Sequence, residues 1–253
     1  MSEKQKTIET KHTWDLEKEM MTCTYCGFCK SVCPVFDISN WEGVGPRGKI
    51  ILAYGLREKE IPADASVLER IFQCTTCKNC ERRCPSDIRV VDIVENIRRD
   101  LVANQFLYPA HKQIVEKLLE TGNPYGETKK VVFKHEDKPK AKVGYFVGCT
   151  ARYRFPSIAN ATISVLEKLG EDFECKHIAQ EIAEKNPKLK SLKKRITFHD
   201  PCHMGRYLQV YEEPRKIIKS IPEAELVEME LNRSTAQCCG GGGGLRAAFP
   251  DSA

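Results

Sequence analysis

No stretch of this 253-residue chain approaches about 18 consecutive apolar residues, so no segment is expected to insert into a membrane. No apolar segment follows the polar start Met1-Ser2-Glu3-Lys4, and a secretory signal is therefore not expected. The glycine run 240–244 lacks a following Gly-Lys-Ser/Thr, which removes a phosphate-cradling loop as its reading. Close backbone approach or simple flexibility remains for it. A strong charge excess is also missing, the formal net charge being +5. Cysteine is abundant, with thirteen residues. In a chain without an export signal, cysteines are more often metal ligands than disulfides. The length allows two domains of ordinary size.

The cysteines are ordered. Cys23-x2-Cys26-x2-Cys29-x3-Cys33-Pro34 returns as Cys74-x2-Cys77-x2-Cys80-x3-Cys84-Pro85. This is the run of two-cluster bacterial ferredoxins, written twice. Three cysteines at intervals of three wrap one loop around a cube of iron and sulfide, and the fourth, before proline, serves the other cube. Two [4Fe–4S] clusters are expected, one on Cys23, Cys26, Cys29 and Cys84 and one on Cys74, Cys77, Cys80 and Cys33. Zinc favours two separated Cys-x2-Cys knuckles and fits this run poorly. Each oxidised cluster with its thiolates carries roughly −2, bringing the loaded chain near +1, so charge gives nucleic-acid binding no support. The basic stretch Lys185 to Arg195 reads as a solvated helix face. Lys78, Arg82 and Arg83, beside the second run, are read either as raising a cluster's potential or as serving solubility.

Along the chain, residues 1–12 read as a flexible N-terminus and 13–120 as an α-helical two-cluster ferredoxin domain. Thr13 is expected to cap a short helix through Met21, with Trp14 and Leu16 available for packing. Forty residues separate Cys33 from Cys74, with helical patterns at Pro46–Tyr54 and Ala65–Phe72. Val90 to Leu107 and His111 to Leu119 continue helical. Residues 121–142 read as a linker, with a turn at 121–126 and charged residues from Lys134 to Lys142. From 143 the pattern changes. Val143–Gly148, Ile196–His199 and Glu225–Met229 read as strands, and Pro156–Leu169 (closed by Gly170) and Glu213–Ile221 as helices. This alternation predicts a parallel α/β sheet with chemistry beyond its strand ends, near Cys149 and Cys202.

Cys202, the pair Cys238-Cys239 after 35 intervening residues, and Gly240 resemble the cysteine-rich CCG domain. With the two ferredoxin runs, Gly148-Cys149-Thr150 and His199-Asp200-Pro201-Cys202-His203, residues 13–253 resemble the D-type subunit of heterodisulfide reductase and its relatives. The resemblance implies an α-helical ferredoxin domain followed by an α/β cysteine-rich (CCG) domain at 143–253. That domain is incomplete by the family pattern. No Cys-x-x-Cys lies between Cys149 and Cys202 or follows Cys239, and only 52 residues separate Cys149 from Cys202. An internal deletion near Phe173–Cys175 and a C-terminal truncation are the expectation. In the intact parent the CCG cysteines imply a noncubane [4Fe–4S] cluster that cleaves a heterodisulfide. Here Cys202, Cys238 and Cys239 are remnants of that ligand set. Zinc on these thiolates with His199 or His203 is an alternative, and a Cys202–His203 catalytic dyad is a weaker one. Cys149 reads as an ancestral ligand or a buried apolar cysteine, and Cys175 as incidental.

The resemblance implies an electron-transfer subunit of an anaerobic oxidoreductase, carrying electrons through two clusters to a disulfide-reducing site. The isolated chain is expected to lack a complete catalytic site. The alternative is a relay subunit of a flavin-linked glycolate or lactate oxidase or of anaerobic glycerol-3-phosphate dehydrogenase. Expected partners are redox subunits, either a membrane cytochrome b-type subunit or a soluble flavoprotein. The expected location is cytoplasmic, at the inner membrane face only through a partner.

Overall fold

Apolar positions that recur at helical spacing draw the cysteine loops into a helical frame. A computed structural model describes residues 7–129, 131, 133, 145–169 and 177–252. The chain divides into two compact units. One contains the described residues up to Lys112 together with His199–Gln209 and Met229 onward, and the other contains the segments between. The segments bearing Cys202 and Cys238-Cys239 group with the eight-cysteine region.

The first unit opens with α1 (Glu17–Met21), α2 (Pro34–Ser39), α3 (Pro46–Arg57), α4 (Ala65–Phe72), α5 (Asn79–Arg83) and α6 (Val90–Ala103). Proline at the first position starts α2 and α3, where a missing N–H costs nothing. The Asp64 carboxylate caps α4 by accepting from Val67 N at 2.8 Å. Ile50, Ala53 and Leu56 of α3 pack with Ile71 of α4 and with Ile93, Val94, Ile97 and Leu101 of α6 in one core. α6 stops at Ala103, four residues short of the expected end. Asn104 there bonds the Asp100 carbonyl and the Glu9 carbonyl through Nδ2, both at 2.8 Å.

Two expectations near the N-terminus need correction. Thr13 is not a side-chain cap. Its Oγ1 donates to the buried Asp100 carboxylate at 2.8 Å, which also accepts from the backbone N–H groups of Lys11, His12 and Thr13. A buried carboxylate needs several donors, and residues 11–13 supply them. Ile8 is buried in the core, so residues 7–12 are docked rather than free. Leu16 packs inward, whereas Trp14 stays exposed beneath the Arg57 guanidinium.

The second unit holds most of α7 (Pro109–Thr121), then α8 (Cys149–Tyr153), α9 (Pro156–Leu169), α10 (Ile178–Lys185), β1 (Arg195–Ile196), α11 (Glu212–Ser220) and β2 (Glu225–Leu226). β1 and β2 pair in parallel, Arg195 with Glu225 and Ile196 with Leu226. The parallel pairing is as expected, but the sheet among the described residues is two residues deep and two strands wide. A parallel sheet lengthens only where both faces are covered, and these strands are half exposed. Tyr145–Gly148 forms no strand, Phe146 being 90% exposed. Residues 134–144, Gly170 and Cys175 lie outside the described residues. The basic stretch is not a helix face: α10 ends at Lys185, Asn186 turns left-handed, and 187–194 is irregular and largely exposed. Buried Arg215 organises this unit, clamping the Glu228 carboxylate at 2.7 and 2.9 Å and bonding Tyr211 O at 2.7 Å.

The chain then returns to the first unit with a π-helical turn at His203–Tyr207 and α12 (Leu245–Ala248). No helix of the described residues is long and apolar enough to cross a membrane.

Candidate functional site

The two cysteine loops share one backbone pattern. In the first, the residues flanking the second cysteine, Tyr25 and Gly27, have φ of 55° and 82°. In the second, Thr76 and Lys78 occupy the same places with φ of 51° and 60°. Left-handed residues on either side of a cysteine curl the loop tightly at that cysteine. For Tyr25, Thr76 and Lys78 this costs about 1–2 kcal/mol each, which surrounding contacts must offset.

Each loop borders a void. Cys23, Cys26, Cys29 and Cys84 line the first, with Arg47 and Ile50. Cys74, Cys77, Cys80 and Cys33 line the second, with Lys49 and Thr75. Each void thus takes three cysteines from one run and one from the other. Among the described residues, no three Cys, His, Asp or Glu side chains converge on a point as a single ion demands. The thiols are spread around a space instead.

The two voids differ in electrostatics. Cys26 is exposed, and the Phe28 backbone N–H holds its thiol below the usual range. Burial pushes Cys29 up to about 11. Around the second void, burial raises Cys33 and drives Cys80 well above its ordinary value. Such thiols are protonated at neutral pH, so a metal that binds them must displace protons. Arg47 donates to Tyr25 O at 2.6 Å and to Glu42 at 2.7 Å, fixing the first loop. Glu42 also pairs with Lys30 at 2.8 Å.

Arg98 fixes the second loop. Its guanidinium donates to the carbonyls of Ile71, Phe72 and Cys74 and, at 3.1 Å, to that of Gly243. Lys49, 2% exposed, bonds the Val44 carbonyl. Sequence reading missed both Lys49 and Arg98, since one lysine or arginine in a helix carries no mark of burial. Arg82 and Arg83, read as potential tuners, are exposed, where solvent screens their charge. Lys78 lines the second void, with its ammonium over the Tyr207 ring at 4.3 Å.

The later cysteines are built onto this second loop. Arg206 Nε donates to Cys77 O at 2.6 Å, and Tyr207 Oη donates to Thr76 O at 2.5 Å. The Cys77 thiol donates to Cys238, holding Cys238 down to about 7 and raising Cys77. Burial raises Cys202, whose Sγ lies 3.5 Å from His203 Nδ1. The His203 ring stacks on Tyr207 with centroids 4.6 Å apart. His199 instead bonds Gln237 O at 2.9 Å through Nε2. An open cleft is lined by Cys238, Cys239, His199, Gln237, Met229 and Leu231. Arg206 Nη2 is buried without a partner. Cys149 begins α8 of the second unit.

The glycine run takes the close-approach role. A side chain at Gly242 or Gly243 would meet Thr75 O at 2.6 Å or Cys74 O at 2.1 Å. The backbone after Cys238-Cys239 therefore lies directly on the second cysteine loop. α12 and Phe249 complete the seam, with Leu245 fully buried and Phe249 against Tyr108 at 4.8 Å.

Residues 19–88 match the family model of a 4Fe-4S dicluster domain. Residues 143–180 and 196–252 match that of a cysteine-rich domain. The D-type subunit of the dihydromethanophenazine:CoB–CoM heterodisulfide reductase of Methanosarcina acetivorans is 30% identical, across the whole of this chain and 86% of that relative. Its counterpart in Methanosarcina mazei is also 30% identical with the same coverage. The B-type subunit of the fumarate reductase (CoM/CoB) of Methanothermobacter marburgensis is 28% identical over 93% of this chain and 62% of its own length. The alignment to the M. acetivorans protein runs to 353 positions against 253 residues here, leaving about 100 positions without a counterpart.

Proposed function

The chain belongs to the family of the D-type subunit of heterodisulfide reductase, and from that membership we infer that it is an iron–sulfur electron-transfer subunit of a heterodisulfide reductase-like complex. It works with other redox subunits. Cys23, Cys26, Cys29 and Cys84 would hold one [4Fe–4S] cluster, and Cys74, Cys77, Cys80 and Cys33 the other. Such clusters supply one-electron redox chemistry when bound. The observation that carries this reading is the pair of voids, each lined by three cysteines of one run and the fourth of the other, under a loop wound by left-handed residues. The flavin-linked relay has no observation in its favour.

The residues also support an order of sites. The segments bearing Cys202, Cys238 and Cys239 attach to the second loop through Arg206, Tyr207, Gly243 and the Cys77–Cys238 contact. Electrons would enter at the first site, where Cys26 is exposed, and leave from the second toward the cysteine-rich segments. The first loop's residues orient and partly expose one site. Those of the second loop include the buried Cys77.

Anaerobic reconstitution tests the reading. The chain is expected to bind about eight irons and eight sulfides. About four irons, or tight zinc on the same cysteines, would overturn the assignment. Turnover is a separate matter. The missing alignment positions and the two separated matches to the cysteine-rich model support an internal deletion within that domain. Cys238 and Cys239 line the cleft, and Cys202 lies within electrostatic reach of both. These are fewer cysteines than the roughly five of the family pattern, and a centre short of its anchoring ligands loses its geometry. The reconstituted chain alone is therefore expected to oxidise reduced viologen with a heterodisulfide no faster than Cys238→Ala. A clear excess over that control would show that the shortened domain still assembles a working site.

A further inference from the structure

Lys49 and Arg98 pose an electrostatic problem. Lys49 is buried and Arg98 half-buried, and each lies within electrostatic reach of Cys74, Arg98 also of Lys49. Among the described residues, their hydrogen bonds go to backbone carbonyls. Glu95 acts on Arg98 only at longer range. A buried ammonium with no counter-ion and a half-buried guanidinium nearby is strongly unfavourable. The first void presents the opposite case: Arg47 and Lys30 share the Glu42 carboxylate, and all three are partly exposed.

We propose that Lys49, with Arg98 behind it, is the built-in counter-charge of the cluster held by Cys33, Cys74, Cys77 and Cys80, and raises that cluster's reduction potential. The proposal rests on the two-cluster reading above. A four-iron cube with four thiolates carries roughly −2, and one more negative charge on reduction. The two cations balance the oxidised state and favour the added electron. Burial acts the other way, since it withdraws water from that added charge, and the cations offset this. Lys49 is the nearer lever because its side chain lines the void. Arg98 reaches the site through the Cys74 carbonyl.

The test is a potentiometric titration of the anaerobically reconstituted full chain, followed by electron paramagnetic resonance. Each signal is assigned by its loss in Cys23→Ser or in Cys80→Ser. In Lys49→Gln, the centre that depends on Cys80 is expected to become at least tenfold harder to reduce, equivalent to a fall of about 59 mV for one electron. The centre that depends on Cys23 is expected to stay unchanged, and Lys49→Arg should keep both potentials near wild type. An unchanged Cys80-dependent potential in a fully loaded Lys49→Gln overturns the proposal. So does a rise, or an equal shift of both centres. Should Lys49→Gln retain only about four irons, Lys49→Arg decides: full loading supports a requirement for charge, and loss of the same irons shows that shape is needed and overturns it. A wild-type chain that binds no iron overturns both the two-cluster reading and this proposal. Two loaded clusters with an insensitive potential overturn only the latter.

Discussion

Exchange of Cys33 for serine is expected to damage the cluster of the downstream loop and to spare that of the upstream loop, next to which Cys33 stands in sequence. The reason is geometric. Phe28–Val32 forms a tight 3₁₀ turn, Cys33 is extended, and Pro34 starts α2. That path carries Cys33 to the void lined by Cys74, Cys77 and Cys80. Cys84 makes the reciprocal crossing after α5 and lines the void of Cys23, Cys26 and Cys29. Serine ligates iron weakly, so iron content is expected to fall from about eight toward about four per chain. Electron paramagnetic resonance supplies the discriminating measurement. The signal lost in Cys33→Ser should be the one lost in Cys80→Ser. If it is the one lost in Cys23→Ser, the crossed assignment is wrong.

Alanine at Gly243 is expected to destabilise the loaded protein by about 3 kcal/mol or more, whereas alanine at Gly241 stays within about 0.5 kcal/mol. Gly243 has φ of +60°, and its added methyl carbon would lie 2.1 Å from the Cys74 carbonyl oxygen. That oxygen also accepts from Arg98, so the clash pushes on the element that fixes the second loop. At Gly241 the nearest atom is Cys239 Sγ at 3.9 Å, ordinary contact. Chemical unfolding midpoints of the two variants provide the comparison. Gly243→Ala should also speed alkylation of Cys238, because the seam that holds it against Cys77 loosens. Equal stability of the two variants would return the glycine run to plain flexibility.

The helices were legible wherever a long apolar period met a clear start. Pro46, Ala65 and Pro156 begin helices at the expected residues, and Ala65–Phe72 and Pro156–Leu169 also end there. Strands were over-read. Val143–Gly148 and Ile196–His199 have strand composition, but β propensity is realised only through neighbours, and the described residues offer a single two-residue parallel pair. Thr13 illustrates a different limit. Its residue type fits a helix cap, yet Asp100, 87 residues away, takes its hydroxyl proton.

The cysteine spacing and proline placement located the two thiol loops and their crossed fourth cysteines, because intervals of three are a local pattern. Which later cysteines face which loop was decided only by the tertiary structure. Cys202 and Cys238 sit on the second loop through carbonyl contacts made by Arg206, Tyr207, Arg98 and a backbone without side chains at Gly242 and Gly243. Backbone carbonyls are present at every residue, so no motif can specify which of them a distant side chain will meet. Burial is likewise set by the packed fold. It separates Lys49, sealed beside four thiols, from Arg82 and Arg83, whose charge is spent in water.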